Sequence, residues 1–224
     1  MPSAIRHPPS SVPQRATGII LRTRPLTETS LIVNWLTPDL GRLSTVAKGA
    51  RRPKSPFRGK LDLFYEADFS FQRSRRSELH ALREVSLRDT HAPLRRELGW
   101  LQQASYGTAL IEQVTERETP LPAIYELMRG LLAALPQQPP RPQTIFAFEL
   151  KLLEELGLKP DLTETKLTPG AKLIAEKLVA LDWPAAARLK PSDAQSRELQ
   201  QFLHAFLIYH LEKIPASRAA AMHA

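Results

Sequence analysis

Residues 48–60 read Lys-Gly-Ala-Arg-Arg-Pro-Lys-Ser-Pro-Phe-Arg-Gly-Lys. The segment holds six basic side chains, Lys48, Arg51, Arg52, Lys54, Arg58 and Lys60, and no acidic one. A second cluster, Arg73, Arg75 and Arg76, follows within the next turn-like segment. Ammonium and guanidinium groups at this density can neutralise phosphates. Each phosphate so paired releases condensed counterions, and affinity then falls steeply with salt. Pro53, Pro56, Gly49 and Gly59 keep the run from joining a helix face, which favours a binding loop over a solvated helix surface. Binding of single strands also needs aromatic rings, since each stacked base contributes ~1–3 kcal/mol whatever its identity. Phe57, inside the basic loop, is the best candidate for such a ring. Trp35 shares its parity with Leu31 and Val33, which favours core packing, and Phe64 either stacks a base or covers the sheet against another domain.

Signals for turnover chemistry are missing. No glycine loop precedes a Lys-Ser/Thr pair, and neither a His-Glu-x-x-His nor a Gly-x-Ser-x-Gly sequence occurs. The chain has no cysteine, which excludes disulfides, thiol catalysis and cysteine-ligated zinc. His204 and His210 lie six apart, not at the four-residue spacing that stacks two metal ligands on one helix face. Glu154 and Glu155 are adjacent and diverge on a helix. The expectation is a binding protein without catalytic residues, cofactor or metal.

The net charge of +8 is unevenly placed. Residues 1–90 carry 16 Lys and Arg against 8 Asp and Glu, whereas residues 91–224 carry 15 of each. A basic half beside a neutral half points to an anionic partner engaged by one domain. Apolar residues at 42% and charged residues at 24% are ordinary for a globular chain of 224 residues. No apolar run approaches the ~18 residues that span a bilayer, and the proline-rich first residues lack the apolar block of a secretory signal. A cytoplasmic, nucleoid-associated location is expected, with residues 1–14 as a disordered lead.

The elements that must position these groups change period along the chain. From Ala16 to Leu87 apolar residues recur every second position, and after Pro93 every third or fourth. Five strands are predicted: 17–23, 30–36, 42–48, 61–71 and 79–87. In the fourth, Leu61, Leu63, Tyr65, Ala67, Phe69 and Phe71 alternate with mostly polar residues. Five short strands with a long excursion between the third and fourth suit an OB-fold barrel, in which the turn between strands four and five is one of the two loops that hold oligonucleotides. Both basic clusters then fall in barrel loops, and their nine charges are expected around one groove. The prolines leave the 48–60 excursion extended or as a single turn.

Helical spacing dominates the remainder, predicted as an all-α domain over residues 91–214 following the barrel domain of residues 15–90. Pro93 opens a first helix to about Glu116, and Leu121 to Leu135 mark a second. Thr144 caps a third, with Gly157 past its end, and Leu173, Ile174, Leu178 and Leu181 mark a fourth. Ser192 caps a last amphipathic helix with Leu199, Phe202, Leu203, Phe206 and Leu211. Residues 215–224 are expected to be a flexible tail. The fold class is therefore α+β, a five-stranded OB barrel followed by helices.

In order and spacing these features resemble the bacterial RecO recombination mediators. The resemblance rests on Gly18-Ile19-Ile20-Leu21, Glu28-Thr29-Ser30-Leu31 and Leu40-Gly41-Arg42-Leu43 leading into Lys48-Gly49-Ala50-Arg51-Arg52. It continues through Phe148-Glu149-Leu150-Lys151-Leu152-Leu153 and Leu156-Gly157-Leu158-Lys159-Pro160, with a looser tail at Ser217-Arg218. It implies binding of single- and double-stranded DNA, strand annealing, and cooperation with single-strand-binding protein, RecR and, indirectly, RecA. It assigns Lys48, Arg51, Arg52 and Lys54 to phosphate contacts, and the acidic C-terminal tail of single-strand-binding protein to the helical domain. Many relatives carry a four-cysteine zinc knuckle after the Gly-Leu-x-Pro exit. Asp161 to Thr168 offers neither cysteine nor histidine, so a metal-free version held by the following helix is expected. Two other functions fit the residues: an RNA-binding OB protein, and an adaptor whose basic loop docks acidic tails.

Overall fold

In the computed structural model, residues 13–223 are described. The alternating segments form β1 (Gln14–Pro25), β2 (Leu31–Thr37), β3 (Gly41–Ala47), β4 (Glu66–Gln72) and β5 (Leu79–Asp89). They close into a barrel in the order β1-β2-β3-β5-β4, with β3 and β5 parallel and every other pair antiparallel. This is the OB arrangement that the sequence leads one to expect. Closure depends on β1 changing partners: Gln14 to Ile19 pair with β4, and Ile19 to Pro25 with β2. A bulge between Ile20 and Arg22 marks the change. The expected lead of residues 1–14 lies outside the described residues as far as residue 12, and Gln14 already belongs to β1.

Inside the barrel, Ile20, Val33, Trp35, Leu43, Ala67, Phe69, Phe71 and Val85 form one core. Trp35 is fully buried, stacked on Phe69 at 4.0 Å between ring centres, and its indole N–H donates to Thr45 Oγ1 at 2.9 Å. Burial of the indole nitrogen is thus compensated by a hydrogen bond.

The helical part comprises a 3-10 turn (Ala92–Arg96) and then α1 (Leu98–Val114), α2 (Pro122–Ala134), α3 (Pro142–Glu155), α4 (Pro169–Ala180), α5 (Trp183–Ala187), α6 (Asp193–Leu211) and α7 (Arg218–Met222). Many of the prolines are helix starters: Pro122, Pro142 and Pro169 are each a first helical residue, where the missing N–H costs nothing. Hence α3 begins two residues before Thr144, and Arg141 stands at its N-cap. Ser192 makes a full capping box with Gln195. Gly157, at φ 71°, ends α3 in the left-handed region.

Further sequence expectations differ from the structure: the helix expected to open at Pro93 is a 3-10 turn broken from α1 by the extended Glu97. β4 starts at Glu66, because residues 61–65 turn: Tyr65 N–H donates to Asp62 O, and Phe64 takes φ 67°. Phe64, 2% exposed, thereby joins the helical core, so it covers the barrel and offers no face to a ligand. In α4 the buried stripe is Ala171, Ala175 and Leu178, while Leu173 is half exposed, since small residues permit the close approach to α3. The tail expected at residues 215–224 instead carries α7, docked by a buried ion pair. Arg218 Nε and Nη2 donate to Glu149 at 2.6 and 2.9 Å, Tyr106 donates to the same carboxylate at 2.5 Å, and Gln103 donates to Ala221 O. Burial and the neighbouring carboxylate drive the Tyr106 pKa far upward, keeping it a donor.

In the segment without cysteines, Asp161 accepts from Thr163 N–H at 2.9 Å, Leu167 is buried, and Thr168 bonds Glu198 of α6. Packing and hydrogen bonds to the following helices hold this region together.

Candidate nucleic-acid interface

The 48–60 loop is neither helical nor extended. Successive turns close it: Arg52 N–H to Gly49 O at 3.0 Å, Ser55 to Arg52 at 3.0 Å, Arg58 to Ser55 at 3.2 Å and Lys60 to Phe57 at 3.0 Å. Gly49 and Gly59, at φ 69° and 72°, supply the left-handed positions. The loop is seated on the β1–β2 turn, where Arg51 N–H donates to Thr29 O at 2.9 Å and Gly49 N–H to Ser30 Oγ at 3.3 Å. Phe57 is 7% exposed and packs into the barrel core, which corrects the expectation that its ring faces solvent for base stacking. The turns fold the loop back on itself, and the ring is its anchor.

Of the cations on this loop, Lys48, Arg51, Arg52 and Lys54 are exposed and have no ion pair among the described residues. Arg58 is exposed and reaches Pro53 O at 3.4 Å, while Lys60 is half-buried and donates to Val85 O at 3.1 Å. Lys60 therefore ties the loop to β5. The free set is smaller than six, and it is held on a backbone that hydrogen bonds define.

The second cluster lies elsewhere. Strand polarity sends the turns after β1 and β3 to one end of the barrel and those after β2 and β4 to the other. Residues 73–78 thus emerge opposite the 48–60 loop, which corrects the expectation of nine charges around one groove. Arg73 donates to Gln14 at 2.9 Å and forms an ion pair with Glu118. His80 Nδ1 accepts from Ser74 N–H, and its Nε2 donates to the other Glu118 oxygen at 2.9 Å. Arg117 pairs with Glu78. Arg75 and Arg76 are exposed. Burial pushes the Glu118 carboxyl up, but hydrogen bonds from Arg73 and His80 and the Arg73 charge outweigh it and hold it below the usual range.

Glu118 belongs to the α1–α2 connection, which the sequence does not mark as part of any site. That connection lies along β3: Glu118 N–H donates to Arg42 O at 2.9 Å, Leu121 N–H to Pro38 O at 3.0 Å, and Arg42 and Arg117 form a parallel bridge. The Arg42 guanidinium donates to Thr115 Oγ1 at 2.7 Å and to Thr115 O. Gly41, at φ 65°, is required here, because a Cβ would lie 1.8 Å from Thr119 O. Above this seam, Glu112 of α1 accepts from Arg22 at 2.6 Å and from Asn34 at 3.3 Å. The outer rungs Arg22–Asn34–Ser44 and Ile19–Leu36–Arg42 are thus engaged by the helical part. This is the β2–β3 face with which OB-folds ordinarily meet ligands.

A groove of about 620 Å³ runs over β1, β4 and β5. Asp39, Asp68 and Glu84 line it with Arg15, and Asp68 is paired with Arg88, so it lacks the excess of cations that a polyanion needs. Asp68 is held below the ordinary carboxylate range by hydrogen bonds from Arg88 and Thr17.

Among the described residues, no group of three His, Asp or Glu side chains could hold a metal ion, and no helix is long and apolar enough to cross a membrane. The sequence profile described as "Recombination protein O N terminal" matches residues 12–91, and that described as "Recombination protein O C terminal" matches residues 101–168. The DNA repair protein RecO of Anaeromyxobacter sp. (strain K) is 33% identical over 148 residues, which is 66% of this chain and 58% of the relative. The protein of that name from Rhodopirellula baltica is 33% identical over 143 residues, 64% of this chain and 53% of the relative. That from Burkholderia pseudomallei (strain 1710b) is 33% identical over 179 residues, 80% and 63%. In each case the match spans less than two thirds of the relative's length.

Proposed function

Since the chain belongs to the recombination protein O family, we propose that it is a DNA-binding mediator of recombinational repair that anneals complementary strands and helps load RecA onto DNA coated with single-strand-binding protein. The observation that supports this most is the fixed loop presenting Lys48, Arg51, Arg52 and Lys54 with no carboxylate of its own. Cations without partners retain their full charge for phosphates, and contact with the backbone alone accepts any sequence. Annealing needs that indifference, because both strands must be held whatever their bases. Arg75 and Arg76, at the far end, are available for a second stretch of DNA.

The protein needs no turnover chemistry for this role: bringing strands together lowers the entropic barrier to pairing. The helical layer is the proposed dock for the tail of single-strand-binding protein and for RecR, with RecA engaged indirectly.

Annealing of two labelled complementary strands, with and without single-strand-binding protein and over a salt series, tests the proposal. The wild-type chain accelerates annealing at low salt, and Arg51→Ala/Arg52→Ala/Lys54→Ala abolishes most of the acceleration. An unchanged rate in the triple variant contradicts it.

A further inference from the structure

We infer that Arg24 is a further phosphate contact and that the bound strand crosses the end of the barrel, over the β1–β2 turn and the 48–60 loop, and not the β2–β3 face. The inference rests on the proposed role of that loop in holding DNA. Three observations lead to it.

The β2–β3 face is occupied. Glu112, Thr115 and the 117–121 backbone cover its lower rungs, so a strand bound there must first displace the helical part. The end of the barrel carrying the β1–β2 turn has no such cover from Glu112 or from the α1–α2 connection.

Arg22 and Arg24 lie on the same outward face of β1, two residues apart, and their surroundings differ. Arg22 donates two hydrogen bonds to Glu112, which neutralises it. Arg24 is exposed and has no hydrogen-bond or ion-pair partner among the described residues. The single acid of the adjoining turn, Glu28, is likewise exposed and unpaired among the described residues, so this end keeps a positive balance.

Strand register brings Arg24 to the basic loop. Arg24 pairs with Ile32, and Ile32 with Val46; one rung further, Pro25, Leu31 and Ala47 align, and Lys48 follows Ala47. Two strand spacings separate β1 from β3 at this level, roughly 10 Å, over which one strand of a duplex carries about three phosphates. Arg51 is hydrogen-bonded to Thr29 within the turn that β1 enters, so Arg24, Lys48 and Arg51 border one rigid surface. A cation in that position adds a contact without any rearrangement of the backbone.

The test is the salt dependence of binding to a fluorescent oligothymidylate, measured with the whole chain and with Arg24→Gln, Arg24→Lys and Arg51→Gln. Loss of one phosphate contact on a single strand makes the slope of log affinity against log salt shallower by about 0.7. Over a fourfold rise in salt that is roughly a 2.6-fold smaller loss of affinity. Arg24→Gln is expected to show this change, with wild-type melting because the side chain is exposed, and Arg24→Lys to restore the slope. If Arg51→Gln flattens the slope and Arg24→Gln does not, the inference is overturned while the loop site stands. If neither does, the loop site falls, and Arg24 with it.

Discussion

At one end of the barrel, Lys48, Arg51, Arg52 and Lys54 stand exposed on a loop without acids, while at the other Arg73 and Arg117 are held by Glu118 and Glu78. Both ends are rich in arginine, but the first keeps Lys48, Arg51, Arg52 and Lys54 without ion pairs among the described residues, whereas the second keeps only Arg75 and Arg76 so and holds Arg73 and Arg117 in ion pairs. The difference arises from what each end packs against. The α1–α2 connection brings Glu118 to the β4–β5 turn and Arg117 to that turn's own Glu78, Glu112 of α1 pairs with Arg22 on the nearby face, and none of these carboxylates pairs with the 48–60 loop. A cation already paired contributes to cohesion between layers, and one left unpaired contributes to long-range attraction of polyanions.

The largest effect is expected where the free end is anchored. Phe57→Ala removes a buried ring and should cost about 3–5 kcal/mol of stability, read by thermal or denaturant unfolding. Phe57→Leu separates anchor from stacking platform. It should lower the melting temperature and leave DNA affinity at the wild-type value. Wild-type melting with an affinity loss of ~1–3 kcal/mol, the worth of one stacked base, would reverse the assignment.

Next comes the seam at the paired end. Gly41→Ala places a Cβ into Thr119 O in a left-handed backbone, and should cost roughly 1–3 kcal/mol from the backbone alone, more if the α1–α2 connection is forced off β3. Unfolding that matches wild type would show that the connection does not bear on β3 there.

Smaller still is Glu118→Gln, which removes the charge that Arg73 and His80 share. A partly exposed pair is worth about 1 kcal/mol or less in stability. Arg73 would gain freedom, and the salt slope of DNA binding should steepen or stay the same, never flatten. The pH dependence has a definite sign. Because the folded Glu118 carboxyl titrates below its ordinary value, its contribution is complete above about pH 4.3 and disappears as pH falls through the lower folded value. Glu118→Gln should therefore remove part of the acid sensitivity of unfolding below pH 4.3.

Much of this architecture was legible along the chain because it is local. Alternation in β1 to β3, the N-cap at Ser192 and the glycine after α3 each depend on a few neighbouring residues. The Lys-Gly-Ala-Arg-Arg segment was legible for the same reason. What the chain does not mark locally depends on residues far apart in sequence. Nothing near Arg218 announces that Glu149 will bury it, and nothing near Arg73 announces Glu118. The apparent strand from Leu61 to Tyr65 alternates well, but Phe64 finds a better place in the helical core than on the sheet. Phe57 looked exposed because its neighbours are charged, whereas a ring in a loop is often what fastens it. Arg24 carried no signal of its own; only register with β2 and β3 brings it beside the loop.

The central claim is that the barrel grips polyanions at one end. Two matched double variants, Arg51→Gln/Arg52→Gln and Arg75→Gln/Arg76→Gln, remove the same charge from opposite ends, and the salt slope of single-strand binding compares them directly. The first pair should flatten the slope by about 1.4 and the second by much less. Equal flattening by both pairs, or flattening by the second alone, would contradict it.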